Sequence, residues 1–368
     1  MENNTLISDL FLLFLMVGGI VLIYKLVTNH YDKKAQEEKK QLEKWTKEAE
    51  KSQIERRKAL ETIEGIIKEA ETSIIKKELS TTINKSKKST TLPYPSNYNE
   101  VNSYPIDGCL IYLPDEEYYI LEDYSTIVLP TRVSLLVESF FQEFNSEYWA
   151  EKKAIERGLE DPQQILDEWD CKGARARELG LFLHEQIGNK LQRKPSKYVY
   201  EFIYNSEYVS VIEKHDIKKE LSYLRSFIKE NKIIPYRTDW SIVDTRYMIA
   251  GTIDLLCKDS NDSFILYDWK RSKKIGWELP DGFYIDSNNW GKYGFGELGN
   301  IGDHRFNRYC LQQNLYKYIL ESNYGMKVSK MYLVILHPDY SKYHLLEVPN
   351  MQKEVLYMLE EKDRVLQK

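Results

Sequence analysis

Asp268 and Lys270 stand two residues apart in "ILYDWKRSKK" (Ile265–Lys274), a run that otherwise reads as a buried strand. Residues i and i+2 of a strand share a face, so this carboxylate and this ammonium point together into whatever that face covers. The segment before it, "RYMIAGTIDLLCKDSNDSF", carries a second strand pattern followed by the turn formers "KDSND", which predicts an antiparallel hairpin. In such a hairpin Asp254 lies across from about Leu266 to Asp268, so two carboxylates and one lysine meet at one end of a buried sheet. Hard oxygen ligands suit Mg²⁺ or Mn²⁺, which keep several waters and bind phosphate oxygens. The chemistry implied is phosphodiester hydrolysis, with a cation polarising the phosphate and lowering the pKa of a bound water. Lys270 would orient the nucleophile or offset developing charge. The plain alternative is a salt bridge at a strand end, and the same spacing recurs at Glu37 and Lys39 in a charged stretch. Context favours the site: an apolar strand, a preceding G-x-x-D strand and a turn between them.

"GTIDLL" followed by "ILYDWKRS" resembles the core of the PD-(D/E)XK nuclease superfamily, in its RecB-like exonuclease branch. Upstream, "ARARELGLFLHEQIGNKL" is similar to the branch's histidine helix, with Gly180 four residues before His184; downstream, "RYCLQQNLYKYIL" contains the QxxxY pattern at Gln312 and Tyr316. The resemblance covers about residues 104 to 345. It implies an α/β fold with a mixed central sheet flanked by helices, the restriction-endonuclease-like core. It further implies that His184, Asp254, Asp268 and the main-chain carbonyl of Trp269 ligate Mg²⁺ or Mn²⁺. Lys270 would be the catalytic lysine, with Gln312 and Tyr316 beside the site, contacting the scissile strand or holding Lys270. Departures from the pattern are Asp239 where the branch often has a glutamate one strand earlier, Asp268 where many relatives use Glu, and Leu181 after Gly180. Cys257 lies in the hairpin and no cysteine follows Cys310, so no iron–sulfur cluster is expected.

Helix periodicity bears on parts of this. Ala176, Gly180, His184 and Gly188 form one stripe of small residues around an imidazole, which would let a helix approach a sheet closely. Gln312 and Tyr316 share a face with Arg305 and Tyr309. The glycine-dense stretch between Asp281 and Tyr309 reads as a mobile loop whose Trp290, Tyr293 and Phe295 could stack on unpaired bases. Arg271, Lys273, Lys274, Arg305 and Arg308 are candidate phosphate contacts.

Such contacts must be local, because the 368-residue chain has a formal charge of −5, with 35 basic against 42 acidic residues after residue 100. Four scattered cysteines without a CxxC pair argue for a reducing compartment and against zinc. Leu10 to Tyr24 carries no charge, and Leu6 to Val27 admits only Asp9 and Lys25, which predicts an uncleaved transmembrane anchor over residues 1–28. The lysines that follow it put the remainder on the cytoplasmic side of a single-pass protein. Residues 29–83 read as a helical stalk, either solvated or a weak coiled coil that forms a homodimer. Residues 84–103 read as a linker, and 104–368 as the nuclease domain. The function expected is therefore a membrane-anchored, metal-dependent deoxyribonuclease acting on single strands or duplex ends, in DNA processing or against foreign DNA. A non-catalytic nucleic-acid-binding or scaffolding protein that recruits partners to a membrane is the alternative. No G-x-x-x-x-G-K-[ST] sequence is present, so unwinding would need a helicase or other activating partner.

Overall fold

In the computed structural model the described residues are 94–113, 118–123, 126–259 and 262–366. They begin with α1 (Tyr98–Val101), β1 (Leu110–Leu113), β2 (Tyr118–Asp123), β3 (Thr126–Val128) and β4 (Thr131–Arg132). Helices α2 (Val133–Ser139), α3 (Ser146–Arg157) and α4 (Gln163–Leu191) lead to the hairpin β5 (Val199–Asn205) and β6 (Ser210–Asp216), then to α5 (Lys218–Glu230). Strands β7 (Pro235–Asp244), β8 (Ile249–Lys258) and β9 (Phe264–Lys270) follow, then the small hairpin β10 (Gly276–Leu279) and β11 (Gly282–Ile285). The chain closes with α6 (Arg305–Asn323), β12 (Val328–Ile335), β13 (His344–Glu347) and α7 (Gln352–Leu366).

Six strands, β4, β7, β8, β9, β12 and β13, make one mixed sheet. Strand β8 organises it, and all its residues but Thr252 and Lys258 are buried, as a near-continuous apolar run requires. Strand β7 pairs with β8 antiparallel from Asp244↔Ile249 to Pro235↔Cys257. The opposite edge of β8 is shared: β4 pairs in parallel at Ile249 and Ala250, and β9 pairs antiparallel from Leu255 to Lys258. Among the described residues, Gly251 to Asp254 therefore has no strand on that edge. Beyond β9, β12 runs parallel to it and β13 antiparallel to β12.

Both faces of the sheet are covered. On one, α2, α6 and α7 bury Leu136, Leu311, Leu315 and Val355 against Trp240, Ile253, Leu266 and Leu333. On the other, α4 and α5 meet Leu255, Tyr267, Trp269 and Val334. Leu179, Leu183, Ile187 and Leu191 recur every four residues along α4 and form its buried stripe. His184 is the next residue round from Leu183, so it sits at the stripe's margin, half-buried. In α5, Leu221, Leu224 and Phe227 are buried, and the Phe227 ring meets Trp269 edge-on at 5.5 Å.

Several expectations are corrected. Among the described residues no helix is long and apolar enough to cross a membrane. The expected anchor at Leu6–Val27 and the stalk of residues 29–83 lie outside the described residues. With no described helix to support them, the single-pass topology, the cytoplasmic side, the membrane as a partner and the coiled-coil dimer do not enter the functional reading. Tyr94 and Tyr98, in the stretch read as linker, are buried, and the Tyr98 hydroxyl lies 3.1 Å from Thr238 Oγ1. The glycine-dense loop is tied down rather than free: Phe295 N–H bonds to the Phe140 carbonyl (2.8 Å), Asp303 N–H to Lys292 (2.9 Å), and Leu298 is fully buried.

Gly251 marks where α6 touches the sheet, because a Cβ there would overlap the Tyr316 ring. Gly251→Ala should lower stability by about 1–3 kcal/mol through overpacking. Urea unfolding would show it, with part of the loss recovered when Tyr316→Ala is added.

Candidate active site

The β8–β9 ladder ends at Leu255↔Tyr267, so continuing the register by one residue brings Asp254 opposite Asp268. Trp269 lies just past that point with its backbone directed at the open edge of β8. Its N–H donates to Asp254 Oδ2 at 2.7 Å, and its carbonyl meets His184 Nε2 at 2.9 Å. Side chains thus replace the missing strand, which matters because Trp269 is 1% exposed and an unpaired buried peptide group is costly. His184 Nδ1 approaches Asp254 Oδ1 at 3.3 Å, so α4, β8 and β9 are joined through three residues. On the α6 side, Lys270 Nζ stands 2.6 Å from Asp268 Oδ2 and 4.4 Å from the centre of the Tyr309 ring.

These charges set one another's protonation. Burial pushes the Asp268 carboxyl up to about 6 against the pull of Lys270, with Asp254 repelling it further. Burial acts on Asp254 in the same direction, but His184, Lys270 and the Trp269 N–H outweigh it and hold its pKa below the usual carboxylate value. Although burial opposes their charge, Asp254 raises His184 and Asp268 raises Lys270. The site is a charge network with no surplus donor: Asp268 Oδ2 is buried and accepts no well-aligned hydrogen bond, only the ionic contact with Lys270.

Asp239 belongs to the same cluster. The β7–β8 register, Thr238↔Leu255 and Trp240↔Ile253, sets it directly across from Asp254. Its backbone is left-handed (φ 48°), and its carboxylate lies against Gly188 of α4, where any Cβ would overlap it. Gly188 therefore allows the close approach that the small-residue stripe predicts, whereas Gly180 faces open space. Asp239 remains reachable by solvent, yet desolvation by the surrounding cleft, with Asp254 adding repulsion, raises its pKa to about 7.

Gln312 Nε2 donates to the Tyr316 hydroxyl at 2.8 Å. Burial raises the Tyr316 pKa, with Tyr119, Asp268 and Asp254 adding to the rise. Tyr119, which the sequence does not single out, joins them from β2, its hydroxyl 2.8 Å from Thr252 Oγ1. It occupies one position of an ordinary strand alternation, and only tertiary folding brings it to Thr252, 133 residues away.

The basic candidates divide. Arg271 is engaged in a buried ion pair with Glu220 (3.0 Å), which is fully inaccessible, so its guanidinium supports α5 rather than offering a phosphate contact. Lys273 pairs with Asp339 at the surface (2.6 Å), and Arg308 pairs with Asp303 (2.7 Å) over the Phe141 ring. Lys274 and Arg305 line a separate groove at the N-terminal end of α6, close enough that, after desolvation, Arg305 lowers the Lys274 pKa.

One imidazole, two buried carboxylates and a carbonyl are an oxygen-rich donor set of the kind that suits a hard divalent cation, with Asp268 Oδ2, now met by Lys270, as one of its buried oxygens. Among the described residues, however, no group of three or more His, Cys, Asp or Glu side chains stands close enough together to hold a metal ion. Cys171, Cys257 and Cys310 are buried free thiols and Cys109 is half-buried.

No protein-family model and no curated protein matches the chain. Among solved structures, it is similar to a protein of Eubacterium rectale that carries the name exonuclease, at 15% identity and TM-score 0.26 over 40% of this chain. That match spans half of the Eubacterium rectale chain. A protein named SSO0001 matches at 13% identity and TM-score 0.26, over 67% of this chain and 78% of its own. These likenesses are weak and carry no argument about fold, family or activity.

Asp239 gives the site a pH signature. Its folded pKa of about 7 lies above the ordinary 3.8, so the folded state binds the extra proton and stability falls as pH rises through about 7. Asp239→Asn removes this loss and suits the left-handed backbone. In EDTA, its melting temperature should match wild type near pH 4 and exceed it at pH 8; equal values at pH 8 would refute the assignment.

Proposed function

We propose that this chain is a metal-dependent nuclease that hydrolyses phosphodiester bonds in DNA. The observation that carries the reading is the convergence of His184, Asp254, Asp268, Lys270 and the Trp269 carbonyl at the open edge of β8. Its resemblance to the PD-(D/E)XK pattern agrees with that grouping. His184, Asp254, Asp268 and the Trp269 carbonyl would hold Mg²⁺ or Mn²⁺, which when bound supplies Lewis acidity to the phosphate and acidifies water. Lys270, kept charged by Asp268, would sit against the scissile phosphate and offset charge as it develops. Tyr309 would confine the ammonium from one side, and Gln312 would fix the Tyr316 ring. Asp239, already disposed to hold a proton near neutrality, is the group placed to exchange one with water in the cleft.

Asp254 and His184 also cap the Trp269 backbone, so replacing them risks the fold. Asp268→Asn is the cleaner test, since the amide keeps the shape and Asp268 does not cap the Trp269 backbone. With Mn²⁺ and labelled single-stranded, duplex and closed circular DNA, wild type should cut. Asp268→Asn should lose at least about 10²-fold in rate, on the scale of removing a transition-state charge partner, with melting within a few degrees of wild type. Wild-type rates from folded Asp268→Asn would contradict the reading. A folded wild type that binds DNA and never cuts would favour a non-catalytic nucleic-acid-binding protein.

A further inference from the structure

A groove of about 1250 Å³ opens at the N-terminal end of α6, lined by residues other than those of the site. It is larger than the roughly 300–1,000 Å³ of ordinary small-molecule pockets, which suits a segment of polymer better than a metabolite. Phe144, Trp149, Trp290 and Phe295 line it and are 45–83% exposed, with Trp290 at the top of that range. Trp290 is the first central residue of a tight turn closed by the Lys292 N–H on the Asn289 carbonyl (2.8 Å), with φ of 52° there and 72° at Gly291. Two positive φ values in succession define a type I′ turn, whose first central position ordinarily takes Asn, Asp or Gly. A tryptophan there carries backbone strain while its ring packs against little, so the fold gains nothing in return. The ring is presented outward on a turn that hydrogen bonds hold in place, Trp290 N–H to Asn288 Oδ1 (3.1 Å) and Gly291 N–H to Asn289 Oδ1 (3.2 Å).

The charges narrow the occupant. Lys274 and Arg305 stand close together on the wall, and among the described residues neither has a carboxylate partner. Arg308 is neutralised by Asp303, and Glu138, Glu143 and Asp286 elsewhere on the walls offset Lys274, Lys292 and Arg305, so the groove is neutral overall while Lys274 and Arg305 stay locally unpaired. An occupant held by stacking with only two free cations must show aromatic faces and a few phosphates. A duplex hides its base faces, whereas an unpaired strand exposes them. Arg305, on the groove wall, lies one helical turn before Tyr309, whose ring covers Lys270, and that turn of α6 is the link between groove and site.

We infer that this groove receives an unpaired polynucleotide strand, its bases stacked on Trp290 and the neighbouring rings and two phosphates against Lys274 and Arg305. The inference rests on the nuclease reading and adds its substrate class. The test is fluorescence anisotropy of the full chain in EDTA, with labelled oligo(dT), oligo(U) and a blunt DNA duplex. Unpaired strands should bind at least about tenfold tighter than duplex, and Trp290→Ala should weaken them roughly 5- to 100-fold, the loss of one stacked base. The slope of log K against log salt should be about −1.4, for two phosphates on a single strand. Binding of either sugar supports the groove, and the preferred one names its source. Trp290→Ala binding like wild type, or duplex binding as tightly as single strands, would overturn it. If wild type cuts DNA while Trp290→Ala binds and cuts unchanged, the groove falls and the nuclease stands. If binding depends on Trp290 yet no metal restores cutting, the nuclease falls and the groove stands.

Discussion

Trp269 is the residue whose backbone cannot be satisfied by a strand. Its N–H and carbonyl face the edge of β8 just where the β8–β9 ladder has stopped, and the side chain is buried against Phe227 on the other face. Each buried, unpaired peptide group would cost about 1–3 kcal/mol. Asp254 takes the N–H and His184 takes the carbonyl, and the bond between those two side chains closes the loop. The same geometry that rescues the backbone gathers a carboxylate, an imidazole and a carbonyl around one point. Stability and chemistry share these atoms, so the site cannot be dismantled without loosening the junction of α4 with the sheet.

The open interval on β8 follows from the lengths of its neighbours. Strand β4 is two residues long and reaches only Ala250, while β9 pairs no further than Leu255. Gly251 lets Tyr316 lie over the strand in the gap, and Thr252 turns its hydroxyl to Tyr119 and Ser241. Into this space come Asp268 and Lys270 from the α6 side and Asp239 from β7. Two buried carboxylates, a third that solvent still reaches and one ammonium leave two carboxyls with raised pKa values, a frustration that a bound cation would relieve.

Much of this is legible in the sequence, for local reasons. The hairpin shows in two apolar runs about a polar turn, which sets Asp254 across from about Leu266 to Asp268, and the ladder's register narrows this to Asp268. The small-residue stripe Ala176, Gly180, His184 and Gly188 predicts a close approach of α4 to the sheet, which holds at Gly188 but not at exposed Ala176 or at Gly180. What stays hidden depends on contacts distant in sequence. Arg271 reads as a surface cation, but α5 brings Glu220 to it across 51 residues. Face alternation cannot place Asp239, because a left-handed φ departs from the strand geometry on which alternation rests. Glycine density suggests mobility in the loop before α6, yet Gly294 and Gly302 allow tight packing against Leu298 and Asn289. The Trp290 turn is likewise invisible, since a tryptophan is among the residues least suited to it.

The most direct test of the central claim is anomalous diffraction from crystals grown with Mn²⁺. The account predicts a manganese peak bounded by His184, Asp254, Asp268 and the Trp269 carbonyl, with Lys270 turned from Asp268 toward open space. A well-ordered site without a peak there, with His184 still bonded to Trp269 and Lys270 to Asp268, would contradict it.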